Sequence, residues 1–242
     1  MTGTVVSMAA DLPDHTPVVL VHGWGGSFRT TWQQSGVTEL LADAGRPVIG
    51  VDLLGHGTAA KPHDPDAYAD LGDGVLAAIA ATGHQGPIDA VGFSLGAMTL
   101  LRIATEQPHT FRNLVLAGIG RNVLDPDDGS GERIARAVEG AGSDDDTPAQ
   151  VFAQYANRPD NDPVALAAIM RRPRRPLTAE ELAGATCNTL VVIGDRDFAG
   201  PGEPLADALP SARLVTLRNV DHFATPEAFG FIDAMLGFVG AV

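Results

Sequence analysis

Short apolar, β-branched runs alternate with segments of helical periodicity, and this alternation constrains the chain more than any other feature. The runs are Val18–Val21, Val48–Asp52, Ile88–Phe93, Leu114–Ile119, Leu190–Ile193 and Leu214–Leu217. Most lack polar alternation, as strands covered on both faces do. Between them, Val37–Ala44, Ala67–Ala81, Leu95–Gln107, Pro204–Leu209 and Pro226–Phe238 space their apolar residues as helices do. Strand followed by helix, repeated, predicts an α/β fold: a mostly parallel sheet with helices on both faces. Thr4–Ser7 is expected to add a short edge strand.

Residues 121–186 break the rhythm. A polar loop rich in Gly and Asp opens the stretch, and helical pieces follow at Glu132–Val138, Pro148–Ala156, Val164–Met170 and Ala179–Ala183. Thr147-Pro148 and Asp162-Pro163 read as helix starts, with proline in the first turn. Residues 121–186 are therefore expected to form a small helical cap. It is inserted in a core made of residues 1–120 and 187–242, all within one domain. Insertions beyond the carboxyl ends of strands are where open α/β sheets gather binding sites.

The joint between Ile88–Phe93 and the next helix carries Gly92-Phe93-Ser94-Leu95-Gly96, a G-x-S-x-G pattern. Strand, tight turn and helix are the context that gives those letters meaning. A nucleophile there adopts an unfavourable backbone, and side chains two residues before and after it would collide across the turn. Glycine removes them. The helix that follows aims unpaired N–H groups and its positive end at the site. A serine nucleophile needs a base, and the base needs an orienting acid. His222 lies after Arg213–Val220, and Asp197 lies after Leu190–Gly194. Both follow strand ends, as Ser94 does, so all three can meet on one rim.

These residues give the chain its resemblance to the α/β-hydrolase fold superfamily, over nearly its whole length. His22-Gly23-Trp24-Gly25-Gly26 resembles the family's oxyanion-hole loop, and Asp52-Leu53-Leu54-Gly55-His56-Gly57 its D-x-x-G-x-G loop. Asp197 matches the acid position. His222 matches the G-H-F-type histidine, with Asp221 where glycine is usual. The resemblance implies a serine hydrolase acting on a carboxylic ester or related acyl compound through an acyl-enzyme. Thioesterase, lactonase and C–C hydrolase chemistry, and a small-ligand receptor on the same fold, are the alternatives. Ser94 would be the nucleophile, His222 the base and Asp197 its orienting acid. The backbone N–H groups of Trp24 and Leu95 would form the oxyanion hole. Asp195 and Asp125 are alternatives for the acid. Trp24, Phe28 and Phe223 are expected in the substrate pocket, and Trp32 fits pocket or core equally.

Other features narrow the function classes. The net charge of −14 repels phosphate backbones and anionic membranes, so no nucleic acid is expected as a partner. No apolar run is long enough for membrane insertion. One cysteine, Cys187, excludes an internal disulfide and a CxxC metal site. The first residues lack Lys or Arg before a short apolar stretch, which makes a poor secretory signal, and a cytoplasmic location is expected. His22 and His56 have no third ligand at metal spacing and read as packed, hydrogen-bonded residues. Gly23–Gly26 lacks the Lys-Ser/Thr of a phosphate loop, so no nucleotide cofactor is implied and none is expected. Arg171-Arg172-Pro173-Arg174-Arg175 reads as a solvated cap turn, with a phosphate of a coenzyme A thioester as the second reading.

Overall fold

All six apolar runs become strands: β1 (Val18–Val21), β2 (Val48–Val51), β3 (Ile88–Phe93), β4 (Phe111–Ala117), β5 (Asn188–Gly194) and β6 (Ala212–Leu217). The computed structural model describes residues 15–126, 129–143 and 145–242, and the expected edge strand at Thr4–Ser7 lies outside these. The strands form one parallel sheet in the order β2-β1-β3-β4-β5-β6. Pairing of Val21 with Gly92, Phe93 with Ala117 and Gly194 with Leu217 brings their carboxyl ends to a common rim.

Nine helices are described: α1 (Val37–Asp43), α2 (Gly72–Ala81), α3 (Leu95–Glu106), α4 (Ser130–Val138), α5 (Thr147–Ala156), α6 (Pro163–Arg171), α7 (Ala179–Gly184), α8 (Glu203–Ala208) and α9 (Phe229–Phe238). Alternate strand residues sort onto two apolar layers. Val18, Leu20, Val91, Val115 and Val192 face Val37 and Leu41 of α1, Trp32, and Phe231 and Met235 of α9. Val19, Val21, Ala90, Leu114 and Val191 face Val75 of α2, Leu100 and Leu101 of α3, Leu182 of α7 and Leu205 of α8. Burial on both faces is why the strands read as continuous apolar runs.

Two helices start later than expected. The helix predicted from Ala67 begins at Gly72, after a separate 3₁₀ turn at Pro65–Tyr68. The Asp70 carboxylate accepts the Gly72 N–H at 2.7 Å, a local turn that competes with helix. The helix predicted from Pro226 begins at Phe229, because Pro226 sits in a 3₁₀ turn and Ala228 is extended. β2 ends one residue early, since the Asp52 carboxylate is committed to neighbouring loops. β4 runs Phe111–Ala117 in place of Leu114–Ile119, and Gly118 (φ 68°) ends it in a left-handed conformation.

Four helices, α4–α7, lie between β4 and β5. Asp146 and Asp162 cap α5 and α6 with their carboxylates, and proline occupies the first turn of each helix. Thr178 and Glu181 form a reciprocal capping box on α7. α4 packs on α5 and α6, whereas α7 packs on α3 and α8. Arg171 clamps Glu132 and Glu139, joining α6 to α4. Arg175 pairs with Glu181 and lies 3.7 Å from Glu106. These ties engage both ends of the arginine run with carboxylates. At the opposite rim of the sheet, buried Asp89 holds Arg46 and Arg112, and Arg46 donates to the Val239 carbonyl beyond α9.

Candidate active site

β1 has β2 on one side and β3 on the other, so the segments leaving β1 and β3 diverge. Such a switch point opens a crevice at the carboxyl ends of the strands, where open α/β sheets bind ligands. Ser94 stands there, between β3 and α3. Its backbone has φ 51° and ψ −112°, an uncommon and strained conformation for a residue with a side chain. The Ser94 hydroxyl makes no capping bond to α3. The Ser94 N–H donates to Ala117 at 2.8 Å, and its carbonyl accepts from the Met98 N–H at 2.9 Å, which fixes the turn from both ends. A Cβ on Gly92 would lie 2.7 Å from the Ala97 backbone, and one on Gly96 2.6 Å from the His22 carbonyl oxygen. Both glycines are required by close approach.

His222 and Asp197 arrive from the loops after β6 and β5. His222 Nε2 lies 2.9 Å from Ser94 Oγ, and His222 Nδ1 lies 2.9 Å from each Asp197 oxygen. Both are nearly enclosed, with 4% and 8% of their surface exposed. Asp197 Oδ1 also accepts the Ala199 N–H at 2.8 Å, so the carboxylate is anchored from its own loop. Asp195 accepts the Asn219 N–H at 2.7 Å, where Asn219 is left-handed (φ 59°). It braces the histidine loop without touching the imidazole. Asp125 lies exposed after a 3₁₀ turn at Arg121–Val123. Asp221, in the place of the usual glycine, accepts the Ala224 N–H at 3.0 Å and starts the turn after His222.

The loop after β1 lies over the serine: a Cβ on Gly23 would sit 3.3 Å from Ser94 Cβ. Its peptide planes are fixed by His22. The His22 Nε2 accepts the Leu53 N–H at 3.1 Å, which places the proton on Nδ1, and that N–H donates to the Gly23 carbonyl at 2.7 Å. The Gly26 N–H reaches the same carbonyl at 3.1 Å. In a planar trans peptide the N–H points opposite its C=O, so holding the Gly23 carbonyl also aims the Trp24 N–H. At the other donor position, Leu95 opens α3, where the first N–H groups have no partner in the helix. Two backbone donors beside a hydroxyl paired with an imidazole can stabilise an oxyanion formed by attack on a carbonyl.

Burial pushes the His22 imidazole below its ordinary value, against the opposing pull of the Gly23 carbonyl and Asp52. His56 is pushed down to about 3, first by burial and then by His22, whose ring lies 4.9 Å away. Its Nδ1 donates to the Leu54 carbonyl at 3.2 Å, while Nε2 is buried with no partner among the described residues. Burial alone would raise the Asp52 carboxyl, but bonds from Thr58 and Phe28 outweigh it and hold it below the usual range.

A pH dependence follows. Both histidines bind protons more weakly when folded, so the unfolded chain charges first as pH falls below about 6.5. Stability is complete above that pH. It declines on acidification by up to about 1.4 kcal/mol per pH unit for each histidine. For His56 the decline levels off near its folded value of about 3. Urea unfolding between about pH 7 and pH 4 should show the loss, with a shallower slope in His56→Gln. An unchanged slope in that variant would count against the assignment.

Aromatic rings surround the imidazole. Phe198, 57% exposed, places its ring 4.2 Å from that of His222, and Phe93 lies 5.0 Å away on another side. Phe223 stacks on Tyr155 of α5 at 5.1 Å and meets Phe152 of α5 edge-on at 5.6 Å. Trp24 touches Phe152 at 5.4 Å, edge to face. Trp24 and Phe223 thus sit with rings of α5. Phe28 lies elsewhere. Its ring covers Gly50 of β2 and packs in the layer that includes Trp32. Glycine within an otherwise apolar strand is a signal of such close approach. Phe152, Tyr155 and Phe198 carry no comparable local signal, since long-range packing alone joins them to the site.

The sequence matches the model of the alpha/beta hydrolase family over residues 18–233. It is 30% identical to the pimeloyl-[acyl-carrier protein] methyl ester esterase of Neisseria meningitidis serogroup B, covering 85% of each chain. Its fold resembles that of a hydrolase from Pseudomonas aeruginosa, with a TM-score of 0.68 at 24% identity, covering 95% of this chain and 91% of that one. It also resembles 2-hydroxy-6-oxo-6-phenylhexa-2,4-dienoate hydrolase from Rhodococcus, with a TM-score of 0.66 at 19% identity, covering 96% and 92%. Among the described residues, no helix is long and apolar enough to cross a membrane.

Proposed function

We propose that this chain, which belongs to the alpha/beta hydrolase family, is a serine hydrolase that cleaves a carboxylic ester through an acyl-enzyme. The relay from Ser94 through His222 to Asp197, with each step 2.9 Å, carries this reading. Ser94 attacks the ester carbonyl as His222 Nε2 takes the hydroxyl proton. Asp197 holds Nδ1–H toward itself and stabilises the imidazolium. The Trp24 and Leu95 N–H groups receive the oxyanion, each such donor contributing about 2.7–4 kcal/mol to the transition state. The alcohol leaves with the proton from His222. Water, activated by the same imidazole, then releases the acid.

The substrate takes shape from its surroundings. The leaving alcohol must take its proton at His222, where Phe198 and Phe223 crowd the imidazole. That crowding favours a small alcohol and an apolar acyl group. The meningococcal relative, named for a methyl ester, agrees. The cap helices set acyl selectivity in this reading. A cytoplasmic location and a small-molecule acyl substrate belong to the same proposal.

A fluorophosphonate probe and a panel of methyl and p-nitrophenyl esters of graded acyl length test it. Rapid labelling and ester turnover, both lost in Ser94→Ala, are expected. Folded protein that neither labels nor turns over any ester would overturn the proposal. Preference for a thioester or lactone offered beside the panel would replace the ester by that acyl class.

A further inference from the structure

The Trp24 N–H is held from the core side by His22, through the Gly23 carbonyl. The loop is also held from the opposite side. Asn161, in the connection between α5 and α6, donates from Nδ2 to the Gly25 carbonyl at 2.9 Å and to the Tyr155 carbonyl at 3.1 Å. Both partners are carbonyl oxygens, so only the amide nitrogen can face them. The residue before it, Asp160, has φ 74°, a left-handed conformation that costs a non-glycine residue strain. Strain of this kind persists only where surrounding contacts fix it. Two further bonds seat the same segment. The Trp24 indole N–H donates to the Leu166 carbonyl of α6 at 3.1 Å, and His63 lies 2.9 Å from the Asp162 carboxylate. Gly25 itself has φ 71°, and a Cβ there would meet the Tyr155 ring at 3.0 Å.

We propose that Asn161 is a positioning residue for the oxyanion hole. Through the Gly25 carbonyl it fixes the Gly25–Gly26 peptide, whose N–H donates to the Gly23 carbonyl at 3.1 Å, so the Gly23–Trp24 peptide and its Trp24 N–H are aimed while the α5–α6 connection is seated on the loop. The inference rests on the serine-hydrolase reading above. Two peptides of the loop are pinned, Gly23–Trp24 from the core by His22 and Gly25–Gly26 from the α5–α6 connection by Asn161, and the donor sits on the first of them. Releasing the second leaves substrate binding intact, because the ground-state carbonyl gains little from the hole. It weakens the transition state, in which the oxygen carries charge.

The test compares Asn161→Asp, which keeps the shape but loses the donor, and Asn161→Ser, which loses the reach. The control is Asn157→Ala, whose amide, among the described residues, donates to the Ala153 carbonyl within the same helix end. Each is assayed with a p-nitrophenyl ester and with an arylboronic acid, which forms a tetrahedral adduct that fills the hole. Both Asn161 variants should lose about 10–100-fold in kcat with KM little changed, and boronate affinity should fall in parallel. Asn157→Ala should match wild type. Unchanged kcat and boronate affinity in both Asn161 variants overturns the inference. So does a loss that Asn157→Ala shares, or one that appears wholly in KM, since either marks general loosening of the cap helices. If Ser94→Ala remains active, it is the serine-hydrolase reading that fails, and the two failures are therefore told apart.

Discussion

Substituting Ser94 by alanine is expected to lower kcat by about 10⁶-fold while the protein stays folded, because nucleophile and base act as a unit. Residual turnover would come from the oxyanion donors and substrate binding alone. The same position tests the stored strain. At φ 51° a side chain is disfavoured and glycine is not. Ser94→Gly should therefore be inactive yet more stable than Ser94→Ala, by about 1 kcal/mol after the entropy that glycine loses on folding. Single-turnover kinetics and urea unfolding on the two variants measure both effects. A Ser94→Ala enzyme with more than a small fraction of wild-type kcat would remove the nucleophile from the proposal.

Asp197→Asn is expected to reduce kcat by about 10⁴-fold, the effect of presenting His222 with the wrong tautomer. Both Asp197 oxygens now accept from the direction of Nδ1, and one also accepts the Ala199 N–H. An amide in that place turns an N–H toward Nδ1. The imidazole proton then moves to Nε2, which can no longer take the proton of Ser94. Asp195→Asn retains an acceptor for the Asn219 N–H and should be nearly silent. Asp125→Asn, on an exposed turn, should be silent. Activity that survives Asp197→Asn but not Asp125→Asn would move the acid to the loop after β4.

These contrasts show what the sequence could carry. Ser94 is legible because the turn demands two missing side chains, and Gly92 and Gly96 supply them at fixed spacing. His222 is legible from its place after a strand and before a helix. The fold is legible because strands buried on both faces leave unbroken apolar runs. The choice between Asp195 and Asp197 is harder to read. Two carboxylates two residues apart differ only in the direction in which the loop turns them, and that turn depends on Asn219 and Ala199. The aromatic surround is harder still. Phe152 and Tyr155 have the spacing of any amphipathic helix, and only the docking of α5 against the loops after β5 and β6 gives them a role. The start of α2 departs from the sequence pattern because a single Asp70 side chain outcompetes an otherwise helical run.

The path between β4 and β5 has a consequence for how such a protein diversifies. α4–α6 leave and return on the reactive side of the sheet, whereas α7 descends along α3 as an ordinary crossover. Heritable change in the excursion can reshape what the enzyme accepts without disturbing the descent on which strand pairing depends. The exceptions are the few contacts that join the excursion to the loop after β1. Those positions would drift in concert with that loop, and a graft of foreign helices would have to bring its own counterpart of Asn161 to keep full turnover.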